Sequence, residues 1–205
     1  HFPHLNVPIF WKGKFVVTVH DMTMHKFGST STTLPLPLYY FKRLPYKYTF
    51  RHAIINALRV ITPTQAVKNE LVNYFGVDAG KIRPIYMGYD EEFSKEGKNG
   101  KVLKKYGITG NYFIYAGRAY PHKNLRRAIE ALALTNNKLD KKVSLVIACS
   151  RSEFLSGLND FVYKMNVKKY VKFLGFVTDE ELAALLAYSK AFIYPSLSEG
   201  FGLQG

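Results

Sequence analysis

Residues 112–134 read YFIYAGRAYPHKNLRRAIEALAL, and the spacing of their apolar positions changes halfway along. Tyr112–Ala116 is a short run without a polar break, as expected of a strand covered on both faces. From Asn124 to Leu134 the residues Leu125, Ile129 and Leu132 recur at the spacing of one helix face. Between the two lies a loop opened by Gly117. Strand, short loop and helix in this order make half of a right-handed crossover, the unit from which parallel sheets are built.

The alternation continues in both directions. Downstream, residues 143–149, 171–174 and 191–194 read as strands, and residues 153–165 as a helix. Thr178-Asp179-Glu180-Glu181 has the pattern of a capping box at a helix start. Upstream, residues 14–19 (KFVVTV), 59–62 and 82–87 read as strands. Residues 22–37, rich in Ser, Thr and Pro, read as a loop. Residues 38–57 read as partly helical, with Pro45 expected to start, bend or end a helix. Thr62 is the expected cap of the next helix, with Gln65 three residues on and Gly76 at its end. A short helix over 102–106 precedes the central strand. The fold class is therefore α/β, with doubly wound parallel sheets. The polar run 90–100 has linker composition and divides the chain into 1–92 and 93–205. Each part holds too few strands for a finished doubly wound domain, so both domains are expected to be incomplete.

Composition narrows the class further. With 47% apolar and 21% charged residues, the chain lies far from the disordered regime. The single Cys149 excludes a disulfide framework or a cysteine metal site and points to a reducing compartment. No stretch approaches the roughly 20 apolar residues of a membrane span. The first residue is His1 and not Met, so the lack of a targeting segment proves nothing. The net charge of +14 is spread evenly: residues 1–90 hold 11 Lys+Arg against 4 Asp+Glu, and residues 91–205 hold 18 against 11. Such a field favours anionic partners, whether nucleotides, anionic lipid surfaces or nucleic acid, and does not choose among them.

In doubly wound sheets, ligands sit at the carboxyl ends of the strands. Four groups of residues fall there. After Tyr112–Ala116, the loop 117–124 offers backbone N–H groups and a helix start to an anion. Arg118 adds a planar fork and Lys123 a point charge, together suited to a diphosphate. After residues 191–194, Gly200 and Gly202 admit a close backbone approach, and Glu199 can accept hydrogen bonds from sugar hydroxyls. After residues 14–19, His20 can orient or polarise a substrate group, with Asp21 setting its tautomer or the loop. Gly88-Tyr89-Asp90 suits a crossover at a cleft floor. Each group also has a plainer reading on its own: Arg118 capping a helix, Lys123 solvated, Glu199 on a surface turn, His20 packed under a loop, Gly88-Tyr89-Asp90 a simple turn.

Taken together, ITPTQAVKNEL, YFGV, KIRPIYMGYD, FIYAGRAYPHKNLRRAIEALA and VKFLGFVTDEELAALLAYSKAFIYPSLSEGFGLQG resemble family 4 of the glycosyltransferases, retaining enzymes of the GT-B type. The resemblance runs from about Val16 to the end, and its most specific part is the last 35 residues. It implies that residues 1–92 are the later part of an acceptor-side Rossmann-like domain and residues 93–205 the earlier part of a donor-binding one. It implies catalytic roles for His20, Arg118, Lys123 and Glu199. Arg118 and Lys123 would hold the donor diphosphate, Glu199 the donor sugar, and His20 would approach the transferred sugar. Gly117, Gly200, Phe201 and Gly202 would line the donor. The family's second Glu would fall eight residues after Glu199, two beyond the last residue, and its amino-terminal Gly-rich loop would precede His1.

The resemblance implies transfer of a hexose, mannose being one candidate, from a UDP- or GDP-linked sugar to a glycan or lipid-linked acceptor with retention. No Asp-x-Asp is present, so metal-independent transfer is expected, with no resident cofactor and no metal site. Residues 39–59 hold five basic residues, six aromatics and no acid, a mixture suited to an anionic membrane surface. The expected location is cytoplasmic and peripheral to the inner face of the membrane, with no nucleic acid partner. Two other readings stay open at this stage: a non-catalytic polyanion or RNA-binding module, and a nucleotide-sugar epimerase or phosphorylase on the same fold.

Overall fold

The computed structural model describes residues 1–88, 100–150 and 153–202. The junction at 92/93, and all of the 90–100 run except Gly100, lie outside the described residues. The described residues form two compact units, 1–88 together with 198–202, and 100–150 together with 153–197.

The first unit is built on a parallel sheet of β1 (Val16–Thr18), β2 (Arg59–Thr62) and β3 (Ile82–Pro84), in that order. Val17, Val60 and Ile82 are fully buried in its core. Phe2 bridges Val17 in parallel and extends the sheet past β1. Between β1 and β2 lie two helices, α1 (Thr23–Phe27) and α2 (Leu36–Asn56). Three expectations need correction here.

Residues 22–37 are not all loop. The Asp21 carboxylate accepts from the Thr23 N–H at 2.8 Å and starts the short α1, which buried Met22 and His25 anchor. Second, α2 runs unbroken through Pro45. Pro45 lies on the exposed side of the helix, so the Phe41 carbonyl that it leaves without a donor faces solvent. Third, the cap of α3 (Gln65–Phe75) is Thr64 and not Thr62: its hydroxyl accepts from the Val67 N–H at 3.2 Å. Thr62 cannot leave the sheet, because it pairs with Pro84 and its carbonyl is taken by the Ile85 N–H. Gly76 ends α3 at φ 64, as its sequence position implies.

The second unit holds a four-stranded parallel sheet of β4 (Tyr112–Ala116), β5 (Ser144–Ala148), β6 (Val171–Phe173) and β7 (Ala191–Phe192), in the order β6-β5-β4-β7. Its helices are α4 (Lys101–Lys105), α5 (Leu125–Lys138), α6 (Phe154–Lys164) and α7 (Asp179–Tyr188). Successive strand residues point to opposite faces, and each face has its own core. Tyr115, Leu145 and Ile147 pack with Leu125, Ile129, Leu158 and Val162 from α5 and α6. Tyr112, Ile114 and Val146 pack with Val102 of α4 and with Ala184 and Leu185 of α7. The sheet is thus covered on both sides, which is why its strands read as unbroken apolar runs. Among the described residues no helix is long and apolar enough to cross a membrane.

The capping box of α7 ties this unit together. Thr178 and Glu181 bond reciprocally, and Glu181 also pairs with Lys105 and accepts from the Tyr106 hydroxyl at 2.7 Å. The Lys105 and Tyr106 hydrogen bonds hold the Glu181 carboxyl down at about 2. An unfolded Glu titrates near ~4.3, so the stabilisation is complete above that pH and is lost as pH falls toward the folded value. Glu181→Ala is therefore expected to lower the urea midpoint at pH 7, with the gap from wild type closing between roughly pH 4.3 and 2. An equal gap at pH 7 and at acid pH would contradict this assignment.

Candidate functional site

In the second unit, β4 is laid down first, and β5 and β6 extend the sheet on one side of it. The chain then crosses back, and β7 pairs on the other side of β4. Between β4 and β7 the strand order reverses, and in sheets of this kind ligands sit at such a point, beyond the carboxyl ends of the strands. Both loops singled out in the sequence leave from this point.

The loop after β4 turns at Gly117, whose φ of 137 lies where a side chain would be strained. Its N–H donates to the Ala148 carbonyl at 3.0 Å. Arg118 is exposed. Its carbonyl accepts from the Tyr115 hydroxyl at 2.8 Å, and its Nη1 donates to the Tyr120 hydroxyl at 3.1 Å. The Tyr120 ring in turn stacks on His122, with centroids 5.6 Å apart. Pro121–Lys123 makes one tight turn, and Asn124, at φ 58, swings the chain into α5. Lys123 therefore precedes a helix start directly, as its sequence position implies.

The loop after β7 is fastened to this turn. Asn124 Nδ2 donates to the Pro195 carbonyl at 3.1 Å, and the Leu197 N–H donates to the His122 carbonyl at 2.8 Å. Lys123 Nζ lies 6.0 Å from the Tyr194 ring centroid. The second unit thus sets Lys123 beside the start of the terminal loop, with Gly117 and Arg118 at the root of the same β4 loop. In the loop after β7, the buried hydroxyl of Ser196 makes no hydrogen bond within the protein. Buried polar groups seldom go without a partner. Cys149 follows β5 against the loop after β4, and burial pushes its thiol up, against the opposing pull of the Ala119 backbone and the Arg118 charge. A thiol held protonated in this way is a poor nucleophile.

Residues 198–202 pack with the first unit. The Thr64 hydroxyl, already the cap of α3, donates to the Gly200 carbonyl at 2.9 Å. A Cβ on Gly200 would collide with the His20 carbonyl oxygen and lie 3.0 Å from its carbon, so only glycine fits against that backbone. Gly202 takes φ 80, and the Phe201 ring lies 6.2 Å from that of Tyr86. His20, Gly200, Phe201 and Gly202 are brought together in this unit, and Glu199 is half-buried beside Gly200. His20 is exposed, with its Nε2 3.0 Å from the Pro3 carbonyl. Asp21 does not set its tautomer. The Pro3 carbonyl fixes the proton on Nε2, and Asp21 is engaged at the start of α1. Of Gly88-Tyr89-Asp90 only Gly88 is described, and Leu203 lies outside the described residues.

Thr64, Tyr120 and Asn124 were not singled out in the sequence. Thr64 stands where a hydroxyl and Pro63 precede a helix, so a cap was legible there, but its bond to a residue 136 positions away was not. Cavity size does not point to this region. A cavity of about 320 Å³ adjoins the β4 loop, lined by Tyr120, Asn124, Arg126 and Phe154 among others. The cavity of about 920 Å³ lies at the other end of the sheet, ahead of β5 and β6, where Lys142 is engaged with the carbonyls of Asn136 and Leu139. The strand order and the loop bonds carry more weight than volume, because they fix where backbone donors and cations converge. Among the described residues, no three His, Cys, Asp or Glu side chains are grouped to hold a metal ion.

Residues 99–204 match the family model described as glycosyl transferases group 1, and residues 1–93 match the glycosyltransferase family 4 model. Among curated proteins, the chain is 28% identical to the O-antigen chain mannosyltransferase RfbU of Salmonella typhimurium, over 95% of this chain and 53% of that protein. It is 26% identical to the O-antigen chain mannosyltransferase B of Escherichia coli, over 92% of this chain and 48% of that one. The chain thus spans about half the length of the curated relatives it matches. Among solved structures, WaaG, a glycosyltransferase involved in lipopolysaccharide biosynthesis, superposes with TM-score 0.72 at 17% identity, over 93% of this chain and 52% of that one. Anabaena Alr3699/HepE in complex with UDP and glucose superposes with TM-score 0.70 at 22% identity, over 92% and 48%. The fold is GT-B, of which this chain makes about half.

The seat of residues 198–202 is open to test by amide exchange in the full-length protein. Gly200→Ala is expected to speed exchange at residues 199–202 by at least ~10-fold, because the backbone it meets cannot give way. Thr64→Val is expected to do the same and to lose about 1 kcal/mol from the α3 cap, while Thr64→Ser keeps both bonds. Unchanged exchange in Gly200→Ala would dissociate this segment from His20.

Proposed function

This chain belongs to the glycosyl transferases group 1 family, and we propose that it transfers a hexose from a nucleoside-diphosphate sugar to a glycan or lipid-linked acceptor, with retention and without a divalent metal. The observation that carries the reading is the reversal of strand order between β4 and β7, with the Arg118 and Lys123 loop rooted at that point. Breaking the sugar–phosphate bond leaves negative charge on a departing diphosphate. Fixed positive groups already in place stabilise such charge best, since they need no reorganisation as the reaction proceeds. The Arg118 guanidinium can meet two phosphate oxygens at once, Lys123 adds a compact charge, and the first N–H groups of α5 follow in the chain with only Asn124 between.

Each remaining residue has a role suited to its chemistry. The Glu199 carboxylate accepts from hydroxyls of the donor sugar. The backbone of Gly200, Phe201 and Gly202 follows the sugar and phosphates closely because two of the three have no side chain. His20, exposed at the end of β1, presents Nδ1 to the transferred sugar, since Nε2 is engaged by Pro3. The Ser196 hydroxyl adds unused hydrogen-bonding capacity in the loop after β7. The mannosyltransferase names of RfbU and its Escherichia coli counterpart support mannose as the sugar, and the UDP and glucose bound to HepE support a nucleoside diphosphate on the donor.

In the full-length protein, Arg118→Ala is expected to raise the barrier by about 2–4 kcal/mol, the range seen for removal of one transition-state donor. Arg118→Lys should recover only part of this, for want of the fork. Turnover equal to wild type in Arg118→Ala would remove Arg118 from the site. A second measurement addresses the metal: turnover is expected to survive excess chelator, and its abolition by chelator with recovery on added Mg²⁺ or Mn²⁺ would overturn metal independence.

A further inference from the structure

The turns that lead into β5 and β6 lie side by side, because the two strands pair in parallel from Leu145 and Val171 onward. Both turns are basic. Residues 138–142 and 164–169 hold six lysines, Lys138, Lys141, Lys142, Lys164, Lys168 and Lys169, against a single acid, Asp140. All six lysines are exposed. The cavity of about 920 Å³ at this end of the sheet is lined by Lys142, Lys168 and Lys169 together with Asn137 and Asn166.

A basic residue near the end of a helix ordinarily serves the helix dipole and the last carbonyls. That account covers Lys142, which donates to the carbonyls of Asn136 and Leu139. It does not cover the turn into β6. There α6 closes on its own backbone: Asn166, at φ 55, brings its N–H to the Tyr163 carbonyl at 2.9 Å, and the Val167 N–H reaches the Val162 carbonyl at 3.2 Å. Lys168 instead bonds the Tyr163 hydroxyl and lies 4.2 Å from the centroid of that ring, and Lys169 lies 4.9 Å from the Tyr170 centroid. Among the described residues none of the six lysines is paired with a carboxylate. Like charges gathered in this way repel one another, and an anion held among them relieves that repulsion.

Shape and chemistry set the class of anion. The cavity is concave and of the size that takes a small molecule. The Tyr163 and Tyr170 rings each carry an ammonium group, where a single-stranded nucleic acid would stack its bases. Ammonium groups are compact charges with three rotatable donors each, suited to the scattered oxygens of several phosphates, and the Asn137 and Asn166 amides add neutral donors. We infer that this cavity binds a small anion bearing two or more phosphate groups. The site is distinct from the Arg118 loop, which leaves the opposite end of the sheet: the five residues of β5 separate the two ends by about 16 Å. It stands or falls separately from the transfer reading.

The test is calorimetric titration of the full-length protein with tripolyphosphate and with orthophosphate, at low and physiological salt. The Arg118 loop is itself suited to a diphosphate, so the titrations are made on an Arg118→Ala background. That protein is expected to bind tripolyphosphate at least ~10-fold more tightly than orthophosphate, and less tightly as salt rises. Adding Lys168→Gln/Lys169→Gln should weaken tripolyphosphate binding by at least ~10-fold with the thermal melt unchanged, since both side chains are exposed, while Lys168→Arg/Lys169→Arg should retain it. Lys12→Gln/Lys14→Gln, which removes two exposed charges from the first unit, should leave it unchanged. Absence of tripolyphosphate binding at low salt would overturn the proposal, as would binding untouched by Lys168→Gln/Lys169→Gln. An equal loss in Lys12→Gln/Lys14→Gln would overturn it in favour of net charge alone. Tighter binding of a single-stranded RNA than of tripolyphosphate, lost in Lys168→Gln/Lys169→Gln, would overturn it in favour of a nucleic acid.

Discussion

β7 contributes only two residues to the sheet, Ala191 and Phe192, paired with Phe113 and Ile114 of β4. The Ile193 N–H donates to the Ile114 carbonyl at 2.7 Å and prolongs the contact by one bond. That short pairing places β7 on the edge of β4 left open by β5 and β6, and so creates the reversal in strand order. Had the chain added β7 beyond β6, the loop after β4 and the loop after β7 would leave from strands three places apart. Here they leave from neighbours, close enough for Asn124 to reach Pro195 and for Leu197 to reach His122. The position of Lys123 beside Tyr194 follows from the same pairing.

The glycines of the terminal loop then have a clear physical reason. Gly200 rests against the His20 carbonyl with no space for a methyl group, and Gly202 takes a backbone conformation that disfavours side chains. The loop leaves the second unit at Leu197 and joins the first at Ser198, where Thr64 holds it. One hydroxyl accepts from the helix start of α3 and donates to Gly200, so the loop is fixed by a group that the helix already holds in place. This is how a stretch of mostly small residues acquires a defined path without a core of its own.

Local signals were legible wherever the determinants lie close together in sequence. The capping box at Thr178 and Glu181, the αL turn at Gly76, and β4 itself follow from residues within one or two turns of each other. Signals failed where a distant partner decides. Thr62 looks like a cap until Pro84 and Ile85 claim it for the sheet. Pro45 looks like a helix boundary until the buried Tyr39 and Phe50 on either side hold one continuous α2. For the candidate site, the residue types and their strand-end positions could be read from the chain, because glycines and cations on a strand–loop–helix turn announce anion binding. Strand order, the Thr64 bond and the Pro3 contact to His20 could not, since nothing local in the sequence specifies them.

The +14 charge reads differently once individual cations are placed. Several are engaged with the backbone. Lys142 donates to the carbonyls of Asn136 and Leu139 at the end of α5, both at 2.6 Å. Lys81 reaches the Ile55 carbonyl at the end of α2, and Lys172 those of Tyr106 and Gly107 just past α4. A lysine at a helix C-terminus satisfies carbonyls that lack a partner within the helix and lies at the negative end of its dipole. Three of the helices use a basic residue from elsewhere in the chain in this way, so part of the excess charge is a folding device with no need of an anionic partner. What remains facing outward is divided between the two units. It includes Lys42, Lys47 and Arg51 on α2 and the exposed Arg118, where the strand order turns back on itself.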